Sequence, residues 1–416
     1  MKLWDKGYTV NNLVDKFTVG NDRKLDLYLA KYDVQASLAH AKMLTSIGLL
    51  SEIEYVELEK SLDTLKVQIE EGKFIIEEQF EDVHSKIEYE LVKQVGEAGK
   101  KIHTARSRND QVLVALHLYA KAELKKIFKL VEELFDTLID LSEKHKEVLI
   151  PGYTHMQVAM PSSFGLWFSA YAESLIDDLV FIQAAQKVSD QNPLGSAAGY
   201  GSSFPIDRSM TTKLMGFEYL KVNSVAAQMS RGKLEKSLAF ALASLAGTLA
   251  KLSSDVCLYM SQNFGFLSFP KELTTGSSIM PHKQNPDVFE LIRAKCNKTQ
   301  NYPNEVMMLT NNLSSGYHRD FQMLKQGLIE NIEVIKDCTT VCSFMLKNII
   351  VKDGVLNQSI YNYLYSVEEV NKLVVKGISF REAYQKIGHS IQENDFTFDS
   401  ELNHKHIAQG YFNRFR

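Results

Sequence analysis

The stretch Gly276-Ser277-Ser278-Ile279-Met280-Pro281-His282-Lys283-Gln284-Asn285-Pro286 lies between two long helical patterns, so it is a connection with a helix end on each side. Gly276 and the serine pair give the backbone freedom, and Pro281 interrupts any helix. Asn285 followed by Pro286 reads as an N-cap and a first helical position. Asp287 and Glu290 suit the positive end of the new helix. Two hydroxyls, a lysine and a helix N-terminus are the parts of a carboxylate or phosphate receptor. From composition alone an ordinary surface loop is the simpler reading, because loops are built from Gly, Ser, Asn and Pro. A G-x-x-x-x-G-K-[ST] phosphate loop is excluded, since no second glycine precedes Lys283.

Working outward, the chain has 416 residues, 45% hydrophobic and 24% charged, an ordinary globular balance. That length allows two to three domains with ample core. A formal net charge of −4 without a basic block argues against a nucleic-acid partner. The start, Met1-Lys2-Leu3-Trp4-Asp5-Lys6-Gly7, lacks the apolar run of a signal peptide. No stretch approaches the ~20 apolar residues of a membrane span. Cys257, Cys296, Cys338 and Cys342 are scattered over helical patterns and suit buried thiols better than disulfides. Neither CxxC nor HExxH occurs, so the expectation is a reducing, cytoplasmic setting without a metal site.

All eight prolines lie between Pro151 and Pro303, leaving both ends of the chain free of the strongest helix breaker. Strand-like alternation is hard to find, and an all-α protein is expected. Up to about Lys101 the helices are short; one over 26–46 carries Leu27, Ala30, Val34, Leu38 and Ala41 on a stripe. From Ser107 the pattern lengthens. Val112, Leu116, Tyr119, Leu124, Ile127, Val131, Leu134, Leu138 and Leu141 keep helical spacing without interior Gly or Pro. That predicts a helix of roughly 40 residues, about 60 Å long. Other long helices are expected over 162–189, 228–262 and 321–350, with one after Pro286 interrupted near Pro303. Such helices pack side by side at shallow angles, and their length suggests burial against other chains. A monomeric five-helix bundle would leave much of this apolar surface wet.

Three further stretches gather polar groups at helix ends. His103-Thr104-Ala105-Arg106-Ser107-Arg108-Asn109-Asp110-Gln111 opens the first long helix. Its Ser, Asn and Asp could simply cap, or its arginines could hold a carboxylate through paired hydrogen bonds. Pro151-Gly152-Tyr153-Thr154-His155-Met156-Gln157 carries a histidine that is either a loop residue or a proton donor near neutral pH. In Gly316-Tyr317-His318-Arg319-Asp320-Phe321-Gln322-Met323-Leu324-Lys325, Gln322 and Lys325 share a helix face, solvated or ligand-binding. A serine hydroxyl is too weak an acid to begin as an alkoxide. As a base, Ser277 would need loop closure, a helix N-terminus and Lys283 to help it.

The order of these residues resembles a known family. Residues 276–286 match the GSSxMPxKxNP motif of the aspartase/fumarase superfamily, in which the first serine abstracts a proton. Ser107-Arg108-Asn109-Asp110-Gln111 looks like the SRNDQ motif of argininosuccinate lyases, which fumarases and adenylosuccinate lyases do not carry. Residues 32–41 resemble the YDixaSxAHA stretch of the same enzymes, and Glu81-Asp82-Val83-His84 their E-D-[IV]-H. Residues 152–157 resemble GyTHxQ, and 317–325 resemble Y-x-[RK]-D-x-Q-x-x-K. Residues 376–383 resemble the closing kkGxpFRxAH segment, with Tyr384 in place of His. The likeness runs from Trp4 to about Gly388.

The resemblance implies an all-α, three-domain aspartase/fumarase-like fold. Its parts would be an N-terminal helical domain (1–106), a central long-helix bundle (107–350) and a small C-terminal helical domain (351–416). The bundles would combine in the helical core of a homotetramer, with each site drawn from three subunits. The implied reaction is the reversible elimination of argininosuccinate to L-arginine and fumarate, a step of arginine biosynthesis, without cofactor. In it Ser277 takes the proton, Lys283 stabilises the carbanionic intermediate, and a His155–Glu290 pair supports departure of the guanidino group. Ser37, His84, Arg108, Asn109, Thr154, Asn285, Tyr317, Gln322 and Lys325 would contact substrate. One segment departs from the pattern: where relatives read NSxdavsdRD, this chain keeps Arg231 but has Ala226, Ser230 and Gly232. A lyase releasing fumarate from a different or modified succinyl compound therefore stays open. So does a non-catalytic homologue, against which the intact Ser277, Lys283, His155 and Glu290 argue.

Overall fold

A computed structural model describes residues 11–398; Met1 to Gly7, read above for a leader, and the end of the expected C-terminal domain lie outside them. The helices of eight or more residues are α1 (Asn12–Val19), α2 (Ala30–Ser46), α3 (Glu52–Glu70), α4 (Val83–Val95), α5 (Arg108–Lys144), α6 (Phe164–Ser189), α7 (Lys233–Met260), α8 (Asp287–Thr299), α9 (Tyr302–Leu309), α10 (Leu324–Lys347), α11 (Ser366–Val375) and α12 (Phe380–Gln392). Each long helix foreseen from apolar spacing is present. The fold is all-α, and its strands form only two-stranded pieces.

Local chemistry explains the boundaries. Ser51 and Glu54 close a capping box at the start of α3. Asp82 caps α4, its Oδ1 accepting from the Ser85 N–H at 2.8 Å. α5 runs 37 residues because nothing inside it breaks the ladder. Spacing did not foresee the antiparallel hairpin of β1 (Leu149–Thr154) and β2 (Gln157–Ser163). His155 and Met156 form its two-residue turn at φ 52° and 60°, the left-handed pair of a type I′ turn, here without glycine.

The chain divides into two compact units. One comprises residues up to Lys129, Asp178–Ala246 and Asn297–Lys336. In it α2, α3 and α4 bury a cluster that includes Val34, Met43, Leu44, Leu58, Leu62, Val83, Ile87 and Leu91. The other comprises Leu130–Asp177, Gly247–Cys296 and residues from Asp337 onward. An aromatic run anchors it, with Trp167 against Tyr171 and Tyr259, and Phe266 against Tyr259 and Tyr361. Asp255 accepts from Trp167 Nε1 at 3.0 Å and from the Tyr171 hydroxyl at 2.6 Å. Among the described residues one helix, α7, is long and apolar enough to cross a membrane, with mean hydropathy 1.3. Sequence reading had found no such stretch. Its Leu234, Leu238, Leu242, Leu245, Leu249, Leu252 and Val256 are all buried in the protein.

Candidate active site

The loop before α8 is pinched at its neck. Asn285 N–H donates to the Thr275 carbonyl at 2.8 Å, its side-chain amide to the Gly276 carbonyl at 3.3 Å, and the Thr275 hydroxyl to Asp287. α8 begins at Asp287, so Asn285 ties the loop ends together instead of capping the helix as its position suggested. Inside the loop, Ser277 Oγ accepts from the N–H groups of Ile279 at 3.3 Å and Met280 at 3.1 Å. Two amides aimed at one hydroxyl oxygen favour negative charge there. Lys283 and Glu290 are exposed. Both line an open cavity of about 630 Å³ with His282, Asn285, Asp287 and Cys257. Thr154 and His155 stand exposed at the tip of the β1–β2 hairpin. Among the described residues no hydrogen bond or ion pair joins His155 to Glu290, although both belong to the same unit.

A second cavity, about 240 Å³, is lined entirely by the other unit. It gathers Arg108 and Asn109 from the start of α5, Tyr317 and Gln322 from the segment before α10, and Lys325 from its first turn. Five of the expected substrate contacts thus meet in one place. Most are already engaged. Arg108 Nη1 donates to both Asp82 oxygens and, at 3.0 Å, to Ser85 Oγ, while its Nε is buried without a partner. Lys325 Nζ, almost fully buried, pairs with Asp26 and with Asp22 Oδ1 at 3.1 Å. Gln322 Nε2 donates to the Thr18 and Val19 carbonyls at the end of α1, at 2.8 and 3.2 Å.

Electrostatics follow from these pairings. Desolvation opposes ionisation of Asp82, but the His84 imidazolium and Arg108 outweigh it and hold the carboxyl well below its usual range. Burial, then Arg106 and Arg108, push His103 down to about 4, so this pocket-lining imidazole is neutral. Burial raises Asp22 against the pull of Lys325.

Ser37 and His84 are placed elsewhere. Both are buried, and neither lines the cavity. Ser37 Oγ accepts from Arg106 Nη1 at 3.0 Å, and His84 Nδ1 meets Asp33 Oδ1 at 2.8 Å. They brace the wall that carries Arg108. Of the other lining residues, Glu81, Asp82, His103, Arg231 and Arg319 stand within the quoted stretches without an assigned role, and Asp22 and Asp26 were missed. Asp22 and Asp26 had a signal, being four apart on one helical turn opposite a lysine. Of the divergent segment 226–232, only Arg231 reaches the cavity. Its acid partner is Glu235, one turn on, at 3.1 Å.

The serine loop carries the GSSxMPxKxNP-like order and the arginine-bearing pocket the SRNDQ-like order, a combination that resembles lyases of the aspartase/fumarase type. The family profile described as Lyase matches residues 7–300. The chain is 54% identical to argininosuccinate lyase of Phocaeicola vulgatus over 405 residues, covering 97% of this chain and 91% of that one. It is 44% identical to the Thermotoga neapolitana enzyme of the same name over 386 residues, covering 93% and 97%. Among solved structures, an EDDS lyase variant with bound fumarate superposes with a TM-score of 0.77 at 21% identity, covering 93% of this chain and 78% of that one. Class II fumarase of Schistosoma mansoni gives 0.73 at 17% identity, covering 92% and 91%. The chain belongs to the argininosuccinate lyase family.

Proposed function

We propose that this protein is a carbon–nitrogen lyase converting argininosuccinate reversibly to L-arginine and fumarate, in the cytoplasm, as a step of arginine biosynthesis. Ser277 removes a proton from the carbon beside a carboxylate. Lys283 and the loop amides stabilise the resulting carbanionic charge. The C–N bond then breaks, its electrons leaving on the guanidino nitrogen, which takes a proton with support from His155 and Glu290. Arg108, Asn109, Thr154, Asn285, Tyr317, Gln322 and Lys325 hold the substrate, with Ser37 and His84 acting from behind. No cofactor enters. The observation that carries the chemistry is the pair of backbone N–H groups on Ser277 Oγ.

The working form is a homotetramer in which one chain's serine loop completes another's arginine-lined pocket. Two facts support this reading: each cavity is lined by a single unit, and among the described residues neither the His155 nor the Glu290 side chain makes a hydrogen bond or ion pair. We also keep the three-part division at 106 and 350 as the functional organisation. Incubating the purified protein with argininosuccinate and following fumarate absorbance tests the reaction. Absence of fumarate would leave a lyase for a modified or different succinyl compound standing instead.

A further inference from the structure

A third cavity, of about 440 Å³, shares no lining residue with the two described above and lies within the unit that carries Arg108. Its walls are the middle of α5 and the last turns of α6, which meet where His117 Nδ1 contacts the Ser189 carbonyl at 2.9 Å. Lys121, where this wall begins on α5, is about 20 Å along the helix axis from Arg108. The charges in the lining are unevenly matched. Lys121 Nζ donates to Asp190 Oδ1 at 2.6 Å and to the Gly216 carbonyl, and it lies 5.6 Å from the centre of the Phe217 ring. Asp190 Oδ1 also accepts from the Glu218 N–H at 2.9 Å, so both acids of the lining gather around Lys121. Lys125, one turn further along α5, and Lys187, in the last turn of α6, are exposed and line the same cavity. Among the described residues neither ammonium makes a hydrogen bond or ion pair. Gln183 and Gln186 add side-chain amides from α6. A solvated lysine face is the plainer alternative. Such a face sets acids one turn from its lysines, whereas α5 places Lys125 one turn from Lys121, like charge beside like. Two unpaired ammoniums lining one concavity suit a dianion. An ammonium is a point charge and serves a tetrahedral phosphate well, while a planar carboxylate is better matched by the arginine fork. Among the described residues no arginine lines this cavity.

We propose that this cavity is a separate ligand site for a phosphate monoester. Its dianionic phosphate lies between Lys125 and Lys187, and a hydroxyl-bearing remainder donates to Asp190 and Glu218, which would repel a second anionic group. Sugar phosphates and nucleotides share that chemistry. Calorimetric titration of the purified full-length protein tests it, with ribose 5-phosphate as the probe. Wild type should bind this ester about 10-fold or more tightly than ribose, inorganic phosphate or succinate, as hydrogen bonds to charged groups require. Lys125→Gln/Lys187→Gln should reduce its affinity to that of ribose, with the thermal midpoint unchanged because both side chains are exposed. Lys60→Gln/Lys66→Gln removes the same charge from exposed positions on α3 and should leave the affinity as it was. AMP separates the two sources. Binding tighter than that of ribose 5-phosphate, and also lost in Lys125→Gln/Lys187→Gln, supports the proposal with a nucleotide as ligand; weaker binding supports it with a sugar phosphate. Absence of binding by either ester overturns the proposal. Affinity that survives in Lys125→Gln/Lys187→Gln does the same, since the phosphate would then sit elsewhere. Equal weakening in the two double variants would reduce the lysines to a diffuse surface field. Succinate binding as tightly as ribose 5-phosphate would make the cavity a dicarboxylate receptor. Inorganic phosphate binding as tightly would leave Asp190 and Glu218 without a part. Each of these last three results also overturns the assignment.

Discussion

At the scale of single residues, Ser277 and His84 separate chemistry from support. Ser277 sits in an exposed loop, so removing its hydroxyl should leave helix packing untouched. Ser277→Ala is expected to lose ~10³-fold or more in turnover, with the thermal midpoint unchanged. More than a tenth of normal turnover with an intact fold would refute it as the base. His84 is the opposite case. Burial disfavours its charge, yet the Asp33 carboxylate and then Asp82 raise its pKa above the ordinary value. A histidine that binds its proton more tightly folded than unfolded stabilises fully below about 6.5 and loses that contribution as pH rises through the folded value. His84→Gln strands Asp33 and should destabilise by about 3–5 kcal/mol near pH 6, the cost of breaking a buried pair. The gap to wild type should shrink on the alkaline side. Denaturant unfolding of both proteins from pH 6 to 9.5 checks the sign, and a gap independent of pH would mean that no ion pair stabilises the fold. Sequence assigned Ser277 the proton and His84 a substrate contact, although by itself a histidine between acidic residues reads as structural; burial bears on whether such a residue touches a ligand.

At the scale of elements, apolar spacing located every long helix to within about five residues, because a stripe repeated over six or more turns has one geometric solution. It missed the β1–β2 hairpin for an equally physical reason. Leu149-Ile150-Pro151-Gly152-Tyr153-Thr154 has no alternation, and His155-Met156 is not a glycine or asparagine turn. The hairpin leads into α6 through another feature hidden from spacing. A Cβ on Gly165 would lie 2.6 Å from Lys146 Cα and 2.9 Å from the Ser142 carbonyl oxygen, so the start of α6 sits directly against the end of α5. Ser142 Oγ donates to the Gly165 carbonyl at 2.6 Å, fixing the contact. Gly165→Ala must push backbone apart and should cost about 1–3 kcal/mol, as overpacking does. Thermal unfolding would measure it. A stabilised variant would show that the two helix ends can separate freely, and that the hairpin tip bearing His155 is not held by them.

At the scale of the whole molecule, the question is whether one chain carries one site or parts of several. Arg108 is the first residue of a 37-residue helix, and its cavity is lined by one compact unit. Ser277, His155 and Glu290 belong to the other unit, and there the expected His155–Glu290 pair is not made. Among the described residues neither side chain makes a hydrogen bond or ion pair, which would suit partners from a second copy. Closed symmetric assembly about two-fold axes offers that exchange to every chain equally. If the sites are composite, two dead proteins can repair each other. Arg108→Ala removes the arginine proposed to hold substrate, and Ser277→Ala the proposed base. In assemblies re-formed from a denatured mixture, composite sites would draw Arg108 from the second parent and Ser277 from the first, and these should turn over argininosuccinate. With random mixing the recovered activity is a minor fraction of wild type but stands far above either parent. Native mass spectrometry on the same sample establishes that mixed tetramers formed. Mixed tetramers as inactive as their parents would mean that each chain builds its site alone.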